Sequence, residues 1–143
     1  MARLGRYSSD RKKYESITAD KTVVAAECGT IFVLNVASGC TVTLPSVASA
    51  GQGWWCKFFV GTNCSLNTYV ITENTGADTD VLVTQINELE TDNTEDGPSN
   101  TGHTTITIAN ALDTVGDFIE VLCDGTNFYC HGQSVLDGAM TPA

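Results

Sequence analysis

Cys123, Cys130 and His131 come nearest to a chemical constellation in this 143-residue chain. Two thiolates and an imidazole could offer three zinc ligands. Cys130 and His131 are adjacent, however, and neighbours on a strand point to opposite faces, so one strand does not aim both at one ion. The only other histidine is His103, and Ser134 lies close behind His131. No glycine-rich phosphate loop and no nucleophile elbow accompany them. Asp92 to Gly97 echoes the start of a calcium loop, but its twelfth position is His103, where a bidentate glutamate is needed. The expectation is a non-enzyme with no catalytic residue, no cofactor and no metal.

The six cysteines are Cys28, Cys40, Cys56, Cys64, Cys123 and Cys130. They form no CxxC pair, and most sit in apolar runs, where a free cysteine acts as a small buried hydrophobe. No apolar run approaches the roughly 20 residues of a membrane span, and the N-terminus has no apolar core of a secretory signal. The expected setting is a reducing cytosol without membrane contact. The length suits one domain that buries roughly 70% of its unfolded surface.

Charge is placed unevenly. Residues 1–21 hold Arg3, Arg6, Arg11, Lys12, Lys13 and Lys21 against Asp10, Glu15 and Asp20, a net of +3. Residues 22–143 hold only Lys57 against fourteen acids, a net of −13 within the total of −10. A body this acidic repels nucleic acid, and a short basic segment suits an acidic protein surface. Residues 1–20 carry Leu4, Tyr7 and Tyr14 as isolated apolar anchors without helical or strand period. Residues 1–21 therefore read as an extended basic arm and residues 22–143 as the body.

The chain is organised around residues 41–60, which read as strand, loop and strand and end in residues 54–60, Trp-Trp-Cys-Lys-Phe-Phe-Val, its most aromatic run. Strand alternation puts Lys57 outward, so Trp55 and Phe59 share its side while Trp54, Cys56, Phe58 and Val60 face inward. The outward aromatics are covered either by another segment of the chain or by a neighbouring subunit. About nine short strands are expected, near residues 22–27, 31–36, 41–44, 54–60, 68–72, 80–86, 104–108, 117–123 and 126–131. Residues 46–53 read as a flexible loop, 87–102 as a long acidic loop and 135–143 as a tail. Asp124-Gly125 is the strongest hairpin signal, and a two-residue turn there would pair 123 with 126. Ile119, Val121, Phe128 and Cys130 would share one apolar face. Phe118, Glu120, Leu122, Tyr129 and His131 would share a mixed one. With no convincing helical period, the fold class is all-β, an antiparallel β-sandwich or open barrel.

Three stretches resemble virion proteins of tailed bacteriophages. They are residues 26–36 with Gly29-Thr30-Ile31-Phe32, residues 41–45 running through a small-residue loop into the aromatic strand, and the closing hairpin from Gly116-Asp117 to Asp124-Gly125-Thr126-Asn127-Phe128-Tyr129. One compact domain with an arm looks like a capsid decoration, or cement, protein more than a long tail fibre. The resemblance implies a structural component made in the host cytoplasm and placed on the outer capsid surface. It would bind the major capsid protein, as a homotrimer, without touching nucleic acid. The arm residues Arg3, Arg6, Tyr7, Arg11, Lys12, Lys13 and Tyr14 would then grip the capsid, and Trp55, Phe59, Phe118 and Tyr129 would meet neighbouring subunits. The alternative is a receptor-binding, carbohydrate-binding β-domain of a tail fibre or spike.

Overall fold

Short runs of alternating apolar and polar residues, broken by glycine-bearing turns, give strands and almost no helix. The computed structural model describes residues 11–90 and 102–143. Its strands are β1 (Lys13–Ile17), β2 (Lys21–Thr22), β3 (Thr30–Leu34), β4 (Cys40–Thr43), β5 (Trp55–Val60), β6 (Tyr69–Thr72), β7 (Leu82–Glu88), β8 (Thr105–Ile108), β9 (Phe118–Cys123), β10 (Phe128–Ser134) and β11 (Met140–Pro142). The chain is all-β. One sheet, here the large sheet, runs β1-β3-β5-β9-β10-β7, and the small sheet runs β11-β8-β6-β4-β2.

Both sheets are mixed, which departs from the antiparallel expectation. The pairs β1/β3, β3/β5 and β10/β7 are parallel in the large sheet, as are β2/β4 and β4/β6 in the small one. The cause is the path of the chain. It alternates between sheets from β1 to β9, and from β1 to β6 the strands that pair are alternate in sequence and run the same way, whereas β6/β8 and β5/β9 are antiparallel. Residues 13–72 thus form three unequal coils wound around the core. β9 and β10 are the one consecutive pair within a single sheet among the described residues.

The coils bury one face of each strand. Phe32, Leu34, Cys56, Phe58, Val60, Ile119, Val121, Phe128 and Cys130 line the large sheet's inner side, facing Val42, Tyr69, Ile71, Ile106 and Ile108 of the small sheet. Phe32 stacks on Phe58 with centroids 5.3 Å apart, and Trp54 meets Phe128 edge-on at 5.9 Å. The Trp54 indole N–H donates to the Ala25 carbonyl at 3.0 Å, so this buried polar atom is satisfied.

Several local expectations are corrected. The expected arm over residues 1–21 contains β1 and β2, and Ile17 is a core residue. Residues 1–10 lie outside the described residues. Isolated apolar anchors concealed β1, because only Ile17 of its five side chains is buried. The strand expected at 22–27 shortens to β2 followed by a 3₁₀ turn, Ala25–Glu27. The loop at 46–53 holds one helical turn, α1 (Val47–Ala50), whose Ser46 side chain accepts the Ser49 N–H. The tail at 135–143 contains β11, paired with β8, with Met140 buried.

The hairpin register also differs: Cys123 pairs with Phe128 and Val121 with Cys130. Asp124 accepts the N–H groups of Thr126 and Asn127, and its own N–H donates to the Asn127 carbonyl, so Gly125 and Thr126 form the turn. The slip is two residues, which preserves side-chain parity, so the expected division into faces survives.

An ion cluster closes the end of the core between β1 and β2. The Lys21 ammonium lies 2.8 Å from Glu15 and 2.7 Å from Glu27, and 5.5 Å from the Phe32 ring centroid. Glu27 also accepts the Val24 N–H at 2.8 Å. Burial alone would raise the Glu27 pKa; the hydrogen bonds from Lys21 and Val24 outweigh it and hold the carboxyl below its ordinary value. A depressed carboxyl pKa stabilises the fold above the ordinary glutamate range, and that stabilisation is lost as pH falls through the folded value. Lys21→Met should therefore cost about 2 kcal/mol near neutral pH. In urea denaturation the gap between wild type and variant should shrink between about pH 5 and pH 3.

Candidate interaction surface

Where a strand is apolar on both faces, something must cover its outer side. The outer side of the large sheet is such a face. The register aligns Trp55 with Leu122 and Tyr129, and Phe59 with Phe118. Tyr14 aligns with Ile31 and, through it, with Lys57, Glu120 and His131. Tyr14 is 65% exposed, Leu122 48% and Tyr129 46%. Six strands at about 4.8 Å and up to seven residues at about 3.4 Å give the whole face at most roughly 700 Å², which the apolar side chains share with Ser16, Glu120, His131, Gln133, Gln85 and Asn87.

Lys57 stands at its centre. Its ammonium sits 4.1 Å from the Phe118 ring centroid, 5.0 Å from that of Phe59 and 3.5 Å from the Glu120 carboxylate. Phe59 and Phe118 lie 5.9 Å apart, and His131 meets Phe118 edge-on at 6.5 Å. The lysine thus holds a cluster of rings in one arrangement. Towards β1, Lys12 lies over Trp55 at 5.7 Å. Between them opens a groove of about 520 Å³ lined by Lys12, Ile31, Trp55, Lys57, Phe59, Glu120, Val121 and Leu122.

The outer face of the small sheet is the opposite in kind. Thr22, Thr43, Thr72 and Thr105 form one row across four strands, and Thr41, Val70, Thr107 and Thr141 form the next. Hydroxyls on a sheet are satisfied by water and need no cover.

Sequence reasoning placed Trp55, Phe59, Phe118 and Tyr129 outward, and the structure unites them on this one face. It adds Tyr14 and Lys12, assigned to the arm from sequence. Lys13 also lies in the body, where it donates to the Cys28 carbonyl at 3.0 Å. Arg11 is exposed just before β1, whereas Arg3, Arg6 and Tyr7 lie outside the described residues. In the strand expected at residues 31–36, the register puts Ile31 and Val33 outward, beside Lys57 and Phe59 respectively. Their continuous apolar run was the signal for a face covered on both sides.

Cys123 and Cys130 are buried inward while His131 is exposed on the other face, so the three do not converge. The six cysteines are free thiols. Burial pushes the Cys130 thiol up to about 12 and that of Cys40 up to about 11, which keeps them protonated and inert. Among the described residues no group of three His, Cys, Asp or Glu is placed to hold a metal ion. No helix among them is long and apolar enough to cross a membrane. The calcium-like residues 92–97 lie outside the described residues. Buried acids act as loop staples: Glu73 accepts the N–H groups of Asp80 and Val81, Asp78 accepts that of Val47, and Asp113 accepts that of Cys64. Comparison with protein-family models, curated proteins and solved structures returns no match.

The half-exposed Glu120 should contribute little to the lysine's placement, because exposed ion pairs are worth under about 1 kcal/mol. Glu120→Gln should cost under about 0.5 kcal/mol. Lys57→Met, which loses two ring contacts, should cost about 1 kcal/mol. Urea midpoints of the two variants test this, and the reverse order would make the ion pair the dominant restraint.

Proposed function

We propose that this chain is a structural virion protein, with a two-sheet sandwich body, that decorates the outer capsid surface and cements neighbouring major capsid proteins. The observation that carries the reading is the outer face of the large sheet. It offers aromatic and aliphatic side chains around a lysine, with Trp and Tyr prominent, the residue types enriched where proteins meet. Trp55, Phe59, Phe118 and Tyr129 serve self-association as a homotrimer. Residues 1–10, with Arg3, Arg6 and Tyr7, reach an acidic strip of the shell. Arg11 and Lys12 extend the basic charge to the edge of the face. Three arms on one trimer multiply a weak contact by effective concentration, about 10²-fold or more. The sequence resemblance supplies the viral setting.

A second reading, a receptor-binding domain of a tail fibre or spike, draws on the groove, where the Trp55 ring beside Lys12, Lys57 and Glu120 could stack on a sugar. Deletion of residues 2–10 separates the two without cutting into β1. The expected outcome is a folded protein that no longer cosediments with purified capsids and no longer protects them from heat. Unchanged capsid binding with lost adsorption to host cells would favour the second reading.

A further inference from the structure

Two buried carboxylates at one end of the sandwich have no cation to balance them. Asp113 is 2% exposed and Asp117 is 3% exposed. Neither forms an ion pair among the described residues. A charge taken out of water needs an opposite charge or a metal ion beside it.

The contacts of the two acids fall on three crossings between the sheets. Residues 61–68 lead from β5 to β6, residues 109–117 from β8 to β9, and residues 135–139 from β10 to β11. Asp113 Oδ2 accepts the Cys64 N–H at 2.6 Å, and the Asp113 carbonyl accepts the Asn63 side-chain amide at 2.8 Å. The Asp117 carboxylate accepts the Thr114 N–H at 2.9 Å and the Val135 N–H at 3.1 Å, one on each oxygen. Asp113 Oδ1 differs from all of these. It is buried and has no hydrogen-bond partner, not even the neighbouring Cys64 thiol. No other carboxylate oxygen among the described residues is left in that state. The two carboxylates also feel each other. Burial raises the Asp117 carboxyl above its ordinary value and the Asp113 charge adds to the rise, while the N–H groups of Thr114 and Val135 offset only part of it.

An orphaned carboxylate oxygen, a second carboxylate with a lone pair to spare on each oxygen and a side-chain amide are hard oxygen donors. We infer that this end of the sandwich binds a calcium ion, with Asp113 Oδ1 and the Asp117 carboxylate as its charged ligands. Two carboxylates balance the charge of one divalent ion. Calcium takes six to eight oxygens in flexible geometry and completes its shell with carbonyls, amides and water, so donors spread over three crossings suit it. Magnesium demands a near-ideal octahedron, which separate loops do not supply. Asn63, anchored on the Asp113 carbonyl, brings an amide oxygen to the same place. With only two carboxylates the site belongs to the weak class, with a dissociation constant of about 10⁻⁴ to 10⁻³ M. It shares no residue with the outer face of the large sheet, so the inference is independent of the proposed function.

Thermal melts of the full chain test it, first in EDTA and then in calcium chloride or magnesium chloride at about 10 mM. Calcium should raise the wild-type melting temperature by about 3 °C or more, and magnesium should not. Asp113→Asn removes the unbalanced charge. In EDTA this variant should melt no lower than wild type, and calcium should leave it unmoved. Hydrogen exchange of the wild type locates the ion even where the variant fails to fold: calcium should slow exchange in residues 61–68, 109–117 and 135–139. A wild type that calcium does not stabilise, or that magnesium stabilises equally, would overturn the site. So would an Asp113→Asn protein that loses the same stability in EDTA and in calcium, which is the mark of a purely structural staple. Calcium protection confined to the acidic residues 87–102 would overturn it as well.

Discussion

Crossing between two sheets after nearly every strand is the constraint on which this structure depends. Each crossing spends backbone outside a ladder, so its polar groups need partners elsewhere. Tyr69 shows how one crossing is closed. Its buried hydroxyl donates to the Thr62 carbonyl at 2.7 Å and accepts the Val36 N–H at 3.2 Å, tying together the ends of β3 and β5. Burial pushes this phenol up to about 12. Gly39 makes a neighbouring crossing possible. Its φ of +75° suits glycine, and a Cβ there would strike the Thr68 carbonyl.

Winding the chain this way leaves two outer faces, and they differ in what they ask of their surroundings. The threonine rows of the small sheet are content in water. The large sheet instead turns outward a tyrosine from β1, aliphatic residues from β3, aromatics from β5 and a leucine from β9. Lysine at the centre keeps the rings apart and upright, and its single positive charge stands out on an acidic body. The difference between the faces follows from which residues alternate with the core positions, and it makes the large sheet the surface a partner would choose.

Much of this was legible locally. Alternation in residues 54–60 separated Trp54 and Phe58 from Trp55 and Phe59, because period-two geometry holds whatever a strand pairs with. The Asp124-Gly125 hairpin was found for the same reason, though its register slipped by two residues because the Asp124 side chain, by capping the turn, moved it one residue along. Strand direction was not legible. Whether β3 lies parallel to β5 is decided by β4 passing through the other sheet, and no residue of β3 or β5 records that route. β1 was missed because an edge strand with one buried side chain carries almost no periodic signal. The outward place of Ile31 and Val33 was not legible, because an apolar run reads alike whether protein or partner covers it.

Among the described residues, the one hairpin of adjacent strands has a consequence for how the chain acquires its shape. Every other pairing joins segments separated by an intervening strand of the opposite sheet, so closing it costs loop entropy before contacts repay it. β9 and β10 alone can meet cheaply. They also stand between β5 and β7, where both halves of the large sheet must dock. Nucleation at this hairpin would delay folding until the C-terminal third has left the ribosome, and the aromatic coils would wait in an unpaired, adhesive state until then.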